Sequence, residues 1–259
     1  MNVRRLSLIA LLAVGFVSQL SRAQEITVAA AADLQFAMQD VAVRFQKEKG
    51  KTVKVTYGSS GNFFQQIQNG APFDMFFSAN IDYPKKLESA GLIEPGSFYP
   101  YANGKIVIWV TNESKLDLKS GLQVLLDPSV KKIAVANPQH APYGQAAVAA
   151  MQKANIYGKV KDKFVLGENI SQTASFVVSG AADIGIVALS LALSPNMKGE
   201  GRYVEIPSDT YPPIEQACVI LKSSRNKETA GKFLSFFKSG AIADVLKSYG
   251  FDLQPGPAK

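Results

Sequence analysis

Val55-Thr56-Tyr57-Gly58-Ser59-Ser60-Gly61-Asn62, continued by Phe63-Phe64-Gln65-Gln66-Ile67, decides how this chain is read. Val53, Val55 and Tyr57 alternate as in a short strand. Two glycines then bracket two serines, and a modestly amphipathic run begins at once. A strand feeding a helix through Gly-Ser-Ser-Gly leaves backbone N–H groups and two hydroxyls at a helix N-terminus. That end carries a partial positive charge and orphan donors, so it suits an anion. The plainer alternative makes Ser60 a helix cap and Gly58 a turn former. The motif alone leaves both open.

Working outward, Ile26-Thr27-Val28-Ala29-Ala30-Ala31-Ala32 reads as a buried first strand. Asp33 follows as a natural N-cap, and Leu34, Ala37, Met38, Val41, Ala42 and Phe45 keep helical spacing as far as Gly50. Beyond the serine turn, Asn69-Gly70 closes the second helix and Asp74 to Ala79 reads as a third strand. Asp82-Tyr83-Pro84 then starts a helix that stops at Gly91. Strand and helix alternate, which predicts a mostly parallel sheet covered on both faces. Such sheets take ligands just beyond the carboxyl ends of their strands. Asp33 and Ser59-Ser60 both sit at such ends.

Gly104 to Val110 predicts a long strand after the Phe98, Tyr99 and Tyr101 region, and a boundary falls there. A second alternating set follows. It has a short helix near Leu122 to Leu126, a strand Ile133 to Ala136, the turn Asn137-Pro138-Gln139-His140-Ala141-Pro142-Tyr143-Gly144, and a helix Gln145 to Ala154. Phe164 to Leu166 and Asp183 to Val187 are further strands, separated by a helix over Ser171 to Val178. After Tyr203 to Pro207 and Gln216 to Leu221 the chain ends in helices, Ala230 to Lys238 and Ala241 to Tyr249.

The first residues stand apart. Arg4-Arg5, an apolar run from Leu6 to Val17, and Ser21-Arg22-Ala23 read as a secretory signal peptide cleaved after Ala23. Cleavage lowers the formal charge from +7 to +4, because the leader holds Arg4, Arg5 and Arg22 and no acid. The remaining lysines are dispersed among acids, which gives nucleic-acid binding no support. The lone cysteine, Cys218, cannot form an intramolecular disulfide, so the core must hold the exported chain together. With 47% hydrophobic residues, that core is available.

One histidine and one cysteine exclude most metal arrangements. His140 could in principle serve a serine, but no Gly-x-Ser-x-Gly elbow is present, and a histidine after Asn-Pro-Gln reads more simply as a loop or capping residue. Gly58 to Gly61 lacks the lysine of a nucleotide-binding loop. Missing catalytic equipment together with export favours a binding protein over a hydrolase.

Taken in order, several of these motifs resemble the periplasmic molybdate-binding proteins that feed ABC importers. The carriers are Ile26 to Leu34, Gly58-Ser59-Ser60-Gly61, Gln68-Asn69-Gly70-Ala71-Pro72-Phe73-Asp74-Met75-Phe76, Ala136 to Gly144, Asp183-Ile184-Gly185-Ile186-Val187 and Tyr249-Gly250-Phe251. The resemblance implies an α/β type II binding-protein fold with two lobes, mostly parallel sheets and a ligand cleft between them. Residues 1–23 are then the signal peptide, 24–104 with 212–259 the first lobe, and 105–211 the second. It implies a periplasmic, monomeric, non-enzymatic protein that passes molybdate or tungstate to an inner-membrane ABC permease and its ATPase. No cofactor and no free metal cation are implied; molybdenum arrives only as the oxyanion.

The same resemblance places ligand contacts on Asp33, on Ser60 through hydroxyl and amide, and on the backbone amides of Tyr143 and Ile170. Two positions depart from the family. Many members have serine at Asp33, where a carboxylate would repel a dianion. The expectation is that Asp33 turns its side chain back as a cap and offers its amide. Ala188 stands where many relatives supply a tyrosine hydroxyl, and Tyr143 either replaces that donor or merely stacks on the lobe surface.

Molybdate carries no proton near neutral pH and only accepts hydrogen bonds. A pocket of donors satisfies it and leaves the O–H of a hydrogen phosphate unpaired, at a cost of about 1–3 kcal/mol. Sulfate is excluded only by size. If the Asp33 carboxylate faces inward it could accept a phosphate proton, which keeps phosphate as the rival ligand.

Overall fold

A computed structural model describes residues 25–254 of the protein. The expected signal peptide lies outside the described residues. Two sheets form. The first contains β1 (Glu25–Ala31), β2 (Thr52–Gly58), β3 (Met75–Ser78), β4 (Tyr99–Gly104), β10 (Ile214–Ile220) and β11 (Asp252–Leu253), in the order β11-β4-β10-β3-β1-β2. The second contains β5 (Ile106–Thr111), β6 (Ile133–Ala136), β7 (Phe164–Gly167), β8 (Ile184–Ala188) and β9 (Gly201–Glu205), in the order β7-β6-β8-β5-β9. Each sheet, with its helices, makes one lobe of a type II α/β fold.

In the first lobe β1 pairs in parallel with β2 and β3, while β10 and β11 return antiparallel. In the second, β6 pairs in parallel with β7 and β8, and β5 runs antiparallel to β8 and β9. The chain passes between lobes from β4 to β5 and returns from β9 to β10. β4 and β5 are separated by Lys105 alone and lie in different sheets; the strand expected over Gly104 to Val110 is β5, with Gly104 instead closing β4. The Phe98 to Tyr101 region contributes to β4. Its aromatic-rich, Pro-interrupted sequence does not alternate, which hid the strand.

Buried runs explain the central strands. All residues of β3, β6 and β8 are buried, as expected where helices cover both faces of a sheet. Helix α1 (Gln35–Lys49) buries Ala37, Met38, Val41 and Phe45 on one stripe and ends at Gly50, whose φ of 64° makes a left-handed cap. The C-terminal helices α8 (Lys227–Phe237) and α9 (Gly240–Ser248) pack beside it. There Phe45 meets Phe233 edge-on at 5.0 Å, and Phe77 meets Phe237 at 4.9 Å. Each fully buried phenylalanine contributes about 1.5–3 kcal/mol. The second lobe's core is centred on Trp109, 1% exposed, with Ile106, Ile108 and Val135. With no disulfide among the described residues, these two cores hold the lobes together.

Candidate functional site: a cleft of helix N-termini

Three helices start at the seam between the lobes. They are α2 (Ser60–Gln68) from the first, and α4 (Pro142–Lys153) and α6 (Ile170–Val178) from the second. Each uses up its first-turn donors in a different way and leaves one amide over. In α2 the cap is Ser59, not Ser60. Its Oγ accepts from Asn62 N at 3.4 Å, Phe63 N reaches Ser59 O, and Gly61 N crosses the seam to His140 O at 3.0 Å. The amide of Ser60 remains. In α4, Pro142 has no N–H, and the amides of Gly144 and Gln145 both reach Ala141 O, leaving Tyr143. In α6, Asn169 Oδ1 takes the amides of Ser171 and Gln172 at 3.0 Å each, leaving Ile170.

These three amides border one small cleft. Its first-lobe wall is Ala31, Ala32, Asp33, Gly58, Ser59, Ser60 and Ala79; its second-lobe wall is Ala141, Pro142, Tyr143 and Ile170. Its cavity volume is about 10 Å³, far below the roughly 300–1,000 Å³ typical of drug-sized ligands. Among the described residues no lysine or arginine lines it. A wider groove beside it, of about 220 Å³, includes Asp82 and Glu215 in its lining, charges that disfavour an anion. The structure thus brings Asp33, Ser60, Tyr143 and Ile170 together, each no more than 2% exposed.

Ser60 Oγ accepts the amide of Ala79 at 2.9 Å. Its own proton is thereby directed elsewhere and can serve as a donor. Asp33 differs from expectation. It sits in a single 3-10 turn, Ala32–Leu34, and its side chain caps no helix; α1 begins after Leu34 without a side-chain cap. The carboxylate instead meets one donor from the other lobe, Tyr143, and one from its own, Gln216. Oδ2 accepts from Tyr143 Oη at 2.8 Å and from Gln216 Nε2 at 2.6 Å, and Gln216 Oε1 accepts from Tyr101 Oη at 2.7 Å. These long-range donors displace local capping because a buried carboxylate needs more than its own turn can supply. Burial lifts the Asp33 carboxyl from 3.8 to about 6. The Gln216 and Tyr143 hydrogen bonds resist that shift, and the nearby amides of Asp33 and Leu34 pull the same way without forming a bond to Oδ1, which has no partner.

The hydroxyl of Tyr143 is therefore buried and donates to Asp33 across the seam. Burial and the Asp33 charge push it well above its usual range. Gly104 permits this, since a Cβ there would lie 2.1 Å from Tyr143 Oη.

Sequence reasoning missed three participants. Gln216 gives no signal of its own within an apolar strand. His140, read as a loop residue, has Nδ1 2.8 Å from Ser59 Oγ and Nε2 3.6 Å from Glu168 Oε2, and Glu168 also accepts from Asn62 Nδ2. Serine, histidine and glutamate are the residue types of an acyl-transfer relay. Here Ser59 is on one lobe and His140 and Glu168 are on the other, and the row ties the lobes shut. Ser190 Oγ to Asp33 O at 2.8 Å and Ser171 Oγ to Gln35 Oε1 at 2.6 Å add to the seam.

Two lobes drawn together over a small cleft, lined by helix N-termini and no basic side chain, define a two-lobed binding protein for a small solute. The comparisons agree. The family model described as "Bacterial extracellular solute-binding protein" matches residues 26–252, and the chain belongs to that family. It is 36% identical over 247 residues to the molybdate-binding protein ModA of Azotobacter vinelandii, covering 95% of this chain and 97% of the relative. It is 35% identical over 229 residues to the ModA of Rhodobacter capsulatus, covering 88% of each. The solved Azotobacter vinelandii periplasmic molybdate-binding protein superposes with a TM-score of 0.84 at 34% identity, covering 89% of this chain and 100% of that one. These relatives are binding proteins, not enzymes.

Proposed function

We propose that this protein captures molybdate, and tungstate comparably, in the periplasm and delivers it to an ABC import permease. The observation that carries the reading is the trio of leftover amides at Ser60, Tyr143 and Ile170 around one cleft, joined by the Ser60 hydroxyl. A tetrahedral dianion that only accepts hydrogen bonds suits such donors, and helix N-termini add favourable potential. Strong identity to molybdate-binding relatives supports the choice of ion. In this reading the lobes are 24–104 with 212–259 and 105–211, binding closes them, and the shut form is what the permease recognises. Titration calorimetry on stripped protein tests it. Molybdate and tungstate should saturate one site with similar affinity, with sulfate and phosphate at least about tenfold weaker. Saturation by another solute with no heat from either metal oxyanion overturns it.

Phosphate stays as the second reading because Asp33 lines the cleft and its Oδ1 is buried without a hydrogen-bond partner. An ionised carboxylate there could accept the proton of hydrogen phosphate.

A further inference from the structure

Asp33 is the only acidic residue lining the cleft among the described residues, and its two oxygens are treated differently. Oδ2 already holds two donors, Tyr143 Oη and Gln216 Nε2. Oδ1 is buried with no hydrogen-bond partner. An anionic Oδ1 beside a bound dianion would be both repelled and unsatisfied. A neutral acid resolves both problems. Oδ2, as the carbonyl oxygen, keeps its two donors, and Oδ1 becomes an O–H that can give its hydrogen bond to the ligand.

We infer that Asp33 enters the complex as the neutral acid and donates Oδ1–H to the oxyanion, so that each dianion captured brings one proton from solution. This rests on oxyanion capture in the cleft. The residue then also sets specificity, because a protonated Oδ1 cannot accept the O–H of hydrogen phosphate.

The surroundings fit. Burial already raises the carboxyl to about 6, and a neighbouring dianion raises it further. Tyr143 on α4 and Tyr101 on β4, the titratable groups facing it, are pushed well above 10 and stay neutral. Ser190, at α7 (Leu189–Ala192), meets only the Asp33 carbonyl, and no lysine or arginine in the lining holds the carboxylate ionised. Elsewhere at the seam His140 Nε2 lies 3.6 Å from Glu168 Oε2, and Asp82 and Glu215 line the neighbouring groove.

The test is calorimetry of sodium molybdate into the stripped protein near pH 7.5 in two buffers of different ionisation enthalpy. The measured heats should differ by close to one buffer ionisation per ion bound. Kd should weaken towards about tenfold per pH unit above neutrality. Asp33→Asn, neutral at every pH, should bind with no proton uptake and a flat pH profile. Buffer-independent heats in the parent protein overturn the inference while leaving oxyanion capture standing, and they do so even if the variant fails to fold. Uptake persisting in D33N also overturns it and moves the proton elsewhere, His140 being the nearest imidazole of the seam. Saturation by phosphate alone, lost in D33N, makes Asp33 an acceptor and removes both readings. No heat from any of these ions removes both as well.

Discussion

On the first-lobe side of the cleft side chains join the Ser60 amide; on the second-lobe side the free donors are backbone alone. Asp33, Ser59 and Ser60 present a carboxylate and two hydroxyls, each with assigned partners. Across the seam, Ala141, Pro142 and Ile170 have no polar side-chain atom, and the Tyr143 hydroxyl is committed to Asp33. The second lobe therefore contributes amides whose direction is fixed by helix geometry. The first lobe contributes groups whose protonation and rotamer can vary. Selectivity is tunable on the first side, while the second supplies a fixed electrostatic half that counts only when the lobes meet.

The most disruptive way to test that division is to keep the halves apart. A Cβ at Gly61 would lie 2.6 Å from His140 O, so Gly61→Ala pushes against backbone across the seam. If closure fails, the two second-lobe amides are lost. Hydrogen bonds to charged groups are worth about 1.5–3 kcal/mol each, so oxyanion affinity should fall by about 100-fold or more. The ligand-free melting temperature should stay close to the parent's, because neither lobe core is touched. Unchanged affinity in calorimetry would show that the lobes need not approach this closely.

Removing one tunable group is milder. Ser60→Ala deletes a donor and also leaves the Ala79 amide without its acceptor. A loss of about 10- to 100-fold in affinity is expected, and less than threefold would place the hydroxyl outside the contact shell.

Asp33 also links the cleft to stability. Its carboxyl binds a proton more tightly in the folded chain, at about 6, than at the ordinary 3.8. The folded state therefore gains from the neutral acid at low pH, and that gain is lost as pH rises from about 4 through 6. Asp33→Asn avoids the loss. In denaturant unfolding without ligand the variant should gain up to about 3 kcal/mol over the parent at pH 8 and little at pH 4. An equal difference at both pH values would show that Asp33 is not buried as a charge.

Tyr143→Phe should have the smallest effect on binding. Its hydroxyl reaches Asp33, and the bond restrains the carboxyl's rise. Losing it should move the decline of affinity to higher pH and change Kd by less than about threefold at pH 6. A uniform loss across pH would mean that the hydroxyl contacts the ion directly.

Much of this molecule was legible in order along the chain. Periodicity and turn residues located the helices flanking the cleft, and the Gly-Ser-Ser-Gly turn marked a helix start facing a seam. The structure refined the roles. Gly58 and Gly61 have no positive φ. They are small because a Cβ would come within 2.9 Å of the Phe63 ring at one and 2.6 Å of His140 O at the other. A glycine required by a neighbour in space looks the same in sequence as one required by its own dihedrals.

Local sequence by itself determined where donors collect, because a helix start exposes its amides wherever the chain later goes. It also determined that no lysine, arginine or paired ligand set stands immediately at those starts. Only the tertiary structure decided how the donors are shared. Asp33 finds Tyr143 and Gln216, which lie 110 and 183 residues away in sequence, and this leaves one carboxylate oxygen bare. Partners brought together from within one lobe and from across the seam have no local pattern, so the charge of that single buried group, and with it the character of the cleft, is set by packing.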